Sequence, residues 1–236
     1  MSRRRARSQR GVRFVAGGVA ALALWFGSPA VLRHLTIFQV RQIELVGVKR
    51  LPPDAVIAAL RLPAEASVFT DTRLLADRVR GLAGVAAARV ERRLPSALAI
   101  EIREVEPAAL VAGGPQSGAL VAVDAAGRAL PFDPARTGLD LPIAASADRG
   151  VVGVLALIQS VDPALFQTIT SARGLARGDV LLELGPRRVL LGRDAGPEVI
   201  RAVVLVAQDL DAQGRRYVEL DARFAGQVVV RQRPSA

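Results

Sequence analysis

Nineteen consecutive residues, Phe14 to Leu32, carry no charge, and a regular alternation of apolar and polar positions begins only after them. A run of about that length spans a hydrocarbon core as helix, so the first element expected is a single transmembrane helix at 14–33. Trp25 and Phe26 stand toward one end, where interfacial aromatics concentrate. Two other readings of the run stay open: a cleaved signal peptide, with Ser28-Pro29-Ala30 as a small-x-small site, and a buried core helix.

From Phe38 the pattern changes. Phe38, Val40, Ile43 and Leu45 predict a strand ended by Gly47 and Leu51-Pro52-Pro53. Val56, Ile57 and Leu60 form a helical stripe with Pro53 or Asp54 in its first turn. Leu75, Val79 and Leu82 form a second stripe after Asp71 or Thr72, stopped by Gly84. Val85 to Arg93 then alternates, with Ala88 and Val90 inward against Arg89 and Glu91. Leu98, Ile100 and Ile102 alternate with Ala99, Glu101 and Arg103, and Leu94-Pro95-Ser96 is the intervening turn. Residues 38–106 thus read as a βααββ domain with both helices on one face of a small sheet.

Pro107 opens a region of shorter segments, 107–236. Strands are expected at Ala119–Val123, Leu165–Ser171, Val180–Leu184, Arg188–Leu191, Tyr217–Leu220 and Gly226–Arg231. Asp124-Ala125-Ala126-Gly127 reads as a turn, and the stretch through Pro131, Pro134, Gly138 and Pro142 as loop. A helix is expected at Val151–Val161, ended by Asp162-Pro163. The longest begins at Pro197, buries Val199, Ile200, Val203, Val204, Ala207 and Leu210, and ends at Gly214. The class is α+β: a membrane helix, a βααββ domain, then a mixed or antiparallel β-domain with helices.

Charge sharpens this picture. The net charge of +10 suggests nucleic acid until it is located. Arg3, Arg4, Arg5, Arg7, Arg10, Arg13 and Arg33 precede every acidic residue, and residues 39–236 balance to +3. A nucleic-acid interface needs its excess on the folded part, so no nucleic-acid partner is expected. Instead the tail at 1–13 stays in the cytoplasm by the positive-inside rule, and the rest lies outside.

Candidate chemistry is sparse. There is no cysteine, and His34 is the sole histidine, at the end of the apolar run. Gly113-Gly114 and Arg173–Gly178 lack the strand-loop-helix context and lysine of a phosphate loop. Glu101, Glu104 and Glu106, with Arg103, read as a solvated, charge-balanced strand surface, and Asp124 and Asp221 as turn or strand-end carboxylates that bond backbone amides. No catalytic residue, cofactor, metal or small-molecule substrate is expected; the reading is a non-enzyme. The apolar stretch Arg223 to Arg231 suits pairing with a partner strand at a free sheet edge, and equally suits an ordinary paired strand.

The order of these segments resembles the bacterial FtsQ/DivIB cell-division family from the apolar run to the end of the chain. Phe38-x-Val40-x-x-Ile43-x-Leu45-x-Gly47 is similar to the opening of that family's POTRA domain. Ala88-Arg89-Val90-Glu91-Arg92-Arg93-Leu94-Pro95 and Leu98-x-Ile100-x-Ile102-x-Glu104-x-x-Pro107-Ala108 resemble its main signature. Val123-Asp124-x-x-Gly127, Leu141-Pro142 and Leu220-Asp221-x-Arg223-Phe224 resemble parts of its β-domain. Leu94 stands where a Trp is usual, and Ala64–Ser67 lacks the usual Gly-Asn. The resemblance implies a non-enzymatic divisome scaffold in the inner membrane at the septum, with most of the chain periplasmic. It implies FtsB, FtsL, FtsK and the septal synthases as partners, the POTRA domain handling upstream recruitment. It further implies that Arg223, Phe224 and Gly226 match interface positions for FtsB, with Val228 and Val229 extending the edge. Two rival readings are a POTRA-containing secretion or outer-membrane assembly component and an extracytoplasmic peptidoglycan-acting enzyme.

Overall fold

The computed structural model describes residues 35–113, 118–224 and 226–232. The tail at 1–13, the apolar run at 14–33 and His34 lie outside the described residues. Among the described residues, no helix is long and apolar enough to cross a membrane. The chain divides into two compact units between Glu104 and Val105.

The first unit orders its elements as β1 (Gln42–Val46), α1 (Pro53–Leu60), α2 (Thr72–Arg80), β2 (Val85–Arg93) and β3 (Ala97–Glu104). The strands lie in the order β1-β3-β2, with β1 parallel to β3 from Gln42↔Ala97 to Val46↔Glu101 and β2 antiparallel to it. Pro53 occupies the first turn of α1, where its missing N–H costs nothing. Asp71 caps α2 by accepting from the Arg73 and Leu74 amides. One core joins Val56 and Leu60 of α1, Leu75 and Val79 of α2, and Val90, Leu98, Ile100 and Ile102 of the sheet. Each such side chain contributes roughly 1.5–3 kcal/mol on burial.

Three details of this unit differ from the sequence expectation. Ile57 is exposed, because Val56 and Leu60 alone fill the buried stripe of α1. Helix α2 closes at Gly81, whose amide donates to Asp77 O, while Gly84, with φ +84°, lies in the turn just before β2. Glu104 is not a solvated carboxylate. It is 9% exposed, and its oxygens accept the amides of Lys49, Arg50 and Leu51 at 2.8–3.1 Å. Gly47 lets the chain turn into that loop: its φ is +84°, and a Cβ there would stand 2.1 Å from Ile102 O.

The second unit is an eight-stranded mixed sheet in the order β11-β10-β9-β8-β7-β6-β4-β5. Its strands are β4 (Ala109–Ala112), β5 (Leu120–Val123), β6 (Ile143–Ala144), β7 (Ser171–Gly174), β8 (Val180–Leu184), β9 (Arg187–Leu191), β10 (Glu219–Phe224) and β11 (Gln227–Arg231). Its helices are α3 (Pro134–Thr137), α4 (Arg149–Val161), α5 (Pro163–Thr168) and α6 (Pro197–Ala212). Val152, Leu155 and Ile158 of α4 and Ile200, Val203 and Leu210 of α6 pack with Leu182, Val189, Leu191 and Leu220 of the sheet.

The strand expected at Leu165–Ser171 is corrected. Residues 163–168 form α5, and strand β7 begins only at Ser171. Asp162 explains the difference, since its amide donates to Ile158 O and ends α4 while its carboxylate accepts from Leu165 N at 2.7 Å and starts α5. Phe166 and Ile169, three apart on this turn, both enter the core. Within the stretch read as loop, 134–137 is a short helix capped by Asp133. The short strands β4 and β6 add to the expected set, and β10 extends to Phe224.

Candidate partner-binding edge

Strands β10 and β11 form a hairpin at one border of the large sheet. Leu220 pairs with Val230 and Asp221 with Val229, then Phe224 with Gln227, so β10 carries one extra residue at 222–223. Gly226, with φ +71°, makes the turn. Parallel pairing to β9 holds the inner side of β10, from Glu219↔Arg188 to Ala222↔Leu191. Among the described residues, no strand pairs with the outer side of β11. An edge strand turns the N–H and C=O of every second residue to solvent.

The opposite border is treated differently. Beyond β5 the chain folds back, so Leu130 N donates to Ala122 O at 2.9 Å and Asp124 N to Arg128 O at 3.0 Å. Asp124 is 3% exposed; it fixes this return by accepting the Ala126 and Arg128 amides and the Arg128 guanidinium. Among the described residues, one border is covered and the other is bare.

The five residues expected at the interface take different positions. Phe224 is 54% exposed at the end of β10, and Val229 is 41% exposed at mid-strand. Val228 is half-buried with Val230 and packs against the core. It therefore anchors β11 from beneath. Arg223, Phe224 and Gly226 line a shallow groove with Asp179, Asp194 and Glu198; neither valine lines it.

Asp221 organises the hairpin. It is 1% exposed. Its Oδ1 accepts from Arg223 Nε at 2.8 Å, its Oδ2 from Arg223 Nη2 at 2.7 Å, and Oδ1 also from Arg223 N at 3.3 Å. Arg223 Nη1 reaches Asp179 Oδ2 at 3.4 Å, and Arg231 on β11 stands 4.0 Å from Asp221 and 3.2 Å from Glu219. Such a fork is a strong, orienting contact. The amide bond expected of Asp221 is present, but Arg231, and Asp179 on the far side of Arg223, come from distant parts of the chain that spacing does not reveal.

The Arg223 hydrogen bonds hold the Asp221 carboxyl below its usual 3.8 against the opposing effect of burial. For Asp124, burial pulls its pKa upward, but bonds from Arg128 and Ala126 outweigh it and the net shift is again downward. A carboxyl lowered in the folded state contributes stability that is fully present above its unfolded value and is lost as pH falls through the folded one. The full chain in detergent is therefore expected to keep a constant melting temperature from pH 7 to about 5 and to lose it below the 3.8 of a free aspartate. Asp221→Asn should flatten part of that acid limb; an unchanged limb would remove Asp221 from this account.

Among the described residues, no group of three His, Asp or Glu side chains could hold a metal ion. A sequence profile for the POTRA domain, FtsQ-type, matches residues 38–104. The cell division protein FtsQ of Anaeromyxobacter sp. (strain K) is 33% identical over 138 residues, covering 56% of this chain and 42% of that protein. Those of Mycobacterium bovis and Mycobacterium tuberculosis are 26% identical over 189 residues, covering 77% of this chain and 58% of theirs.

Residues 38–104 thus form an FtsQ-type POTRA domain, and the chain is similar to FtsQ proteins over part of their length. It spans about half the length of the curated FtsQ relatives it matches. The match in the first unit covers the FtsQ-type POTRA domain from Phe38 to Glu104, including the carboxylate that ties the 49–51 loop to β3.

Proposed function

We propose that this chain is a non-enzymatic divisome scaffold that receives a strand of an FtsB homologue, within the FtsB–FtsL pair, along the outer side of β11. In this reading residues 1–13 are cytoplasmic, 14–33 span the inner membrane, 38–106 form the POTRA domain and 107–236 the partner-binding β-domain. The observation that carries it is the asymmetry of the large sheet. The β5 border is closed by residues 128–130, whereas β11 is unpaired on its outer side among the described residues. Strand addition needs such a border, with backbone bonds for affinity and alternate side chains for specificity. Phe224 and Val229 supply exposed apolar side chains there, and Arg223, held by Asp221, supplies an oriented cation. FtsK and the septal synthases are the further partners in this reading.

The rival reading as an outer-membrane assembly component draws no support from this sheet. Its strand order has two ends and β4, β6 and β7 are parallel neighbours, whereas outer-membrane barrels are closed and antiparallel.

The test is co-purification of the full chain with co-expressed FtsB and FtsL homologues. Phe224→Ala should weaken capture about ten-fold, the typical cost of truncating an aromatic anchor being over 1 kcal/mol. Val229→Asp should weaken it at least as much with an unchanged melting temperature. Wild-type capture by both variants would sink strand addition at β11.

A further inference from the structure

The POTRA domain carries an exposed patch that its core does not explain. Leu94, in the β2–β3 turn, is 64% exposed, Ile37 is 57% and Leu35 is 45%. Backbone bonds gather these residues at one end of the sheet. Arg41 N and Gln42 N both donate to Ser96 O, at 2.8 and 3.3 Å, so the β2–β3 turn abuts the chain where it enters β1. Val68 N donates to Phe38 O at 2.9 Å, and the Phe38 and Phe69 rings meet edge-on at 5.2 Å, closing the same end.

Cations are interleaved with the apolar side chains. Arg41 donates to Thr36 O, and Arg92 to Val68 O and Thr70 O; these bonds orient the guanidinium groups without neutralising them. Arg93 stands beside Leu94 and is 61% exposed. Of the acids nearby, Asp71 caps α2 and Glu91 lies 2.9 Å from Arg89 and 4.0 Å from Arg93, while Glu65, beside Ala66, is exposed. Leu35 also follows the last residue of the 14–33 run by two positions. At no more than about 3.5 Å per residue, any surface holding that run lies within reach of this end.

We propose that this end of the POTRA domain rests on the adjacent membrane leaflet. Leu35, Ile37 and Leu94 enter the headgroup region, and Arg41 and Arg93 pair with the phosphates of anionic phospholipids. The proposal rests on reading 14–33 as a retained anchor. Exposed leucine and isoleucine among arginines is the composition of a surface that lies in the interface, and arginine stems snorkel there while their charges stay wet. Tethering makes the contact intramolecular, so a small patch suffices.

The chain has no cysteine, so Ser96→Cys gives a single labelling site that leaves Leu94 intact. Ala86→Cys, roughly 23 Å away along β2, is the control. The labelled full chain is placed in nanodiscs of phosphatidylglycerol or of phosphatidylcholine, each with headgroup-spin-labelled lipid as quencher. Strong quenching at 96 and little at 86 is expected in phosphatidylglycerol. Arg41→Gln and Arg93→Gln should each lower the contact roughly five-fold, and Leu94→Asp should abolish it. Equal quenching at 96 and 86 in a chain retained by the discs overturns the membrane contact, equal quenching at 96 in both lipids overturns the pairing with anionic headgroups, and either leaves the anchor standing. A chain not retained by the discs overturns the anchor and this proposal together.

Discussion

Glu104→Ala is expected to lower the stability of the POTRA unit by about 3 kcal/mol or more, because it strips the partner from three amides at once. Lys49, Arg50 and Leu51 follow a glycine turn and lead into α1, and all three amides end on this one carboxylate. A buried N–H left unmet costs about 1–3 kcal/mol, and water reaches this site only partly because Leu51 is 6% exposed. Burial pulls the Glu104 carboxyl upward; the amides of Leu51, Arg50 and Lys49, together with the Arg50 charge, outweigh it and hold its pKa below the usual 4.5. Glu104→Gln separates charge from geometry, since one amide oxygen can keep part of the cradle. The measurement is chemical unfolding of the full chain in detergent, with hydrogen exchange at 49–51 as the local reporter. Alanine should speed exchange at those three amides far more than glutamine does. Equal effects of both variants would mean that the negative charge, and not the acceptor geometry, holds the loop.

Much of this fold is legible in the sequence, and the exceptions have physical causes. The βααββ unit is readable because its helices are amphipathic, its strands alternate, and proline, aspartate and glycine mark the ends of its segments. Asp162-Pro163 misleads because one residue closes α4 and opens α5, while local spacing suggests only a stop. Strand β6 has two residues and depends on its neighbours β4 and β7 for existence; no periodicity can announce it. Glu104 alternates correctly with its strand, but its burial arises from a loop more than fifty residues earlier.

The candidate edge divides in the same way. That residues 227–231 form a strand is clear from composition, but Val228, Val229 and Val230 are alike. Only the pairing with β10 shows that Val229 faces out and its two neighbours face in. The sequence likewise marks Arg223 as a candidate contact without showing that its guanidinium is already held by Asp221 and Asp179.

Asp221→Ala is therefore expected to act twice, costing about 2–3 kcal/mol of stability and weakening partner capture several-fold. The stability loss follows from leaving Arg223 and Arg231 beside a buried site without its anion. The binding loss follows if Arg223 and Phe224 owe their positions to the clamp, since Arg223 lies in the extra-residue step of β10 and Phe224 directly after it. A double-mutant cycle separates a clamp from two independent contributions. With Arg223→Ala already present, Asp221→Ala should cost clearly less than it does alone, because its main partner is gone; contacts of this kind couple by about 0.5–3 kcal/mol. Stability is read from unfolding and capture from co-purification with the FtsB and FtsL homologues, so the two losses are measured apart. Strict additivity in both readouts would reduce Asp221 to an ordinary strand-end carboxylate and leave Phe224 and Val229 to account for the edge alone.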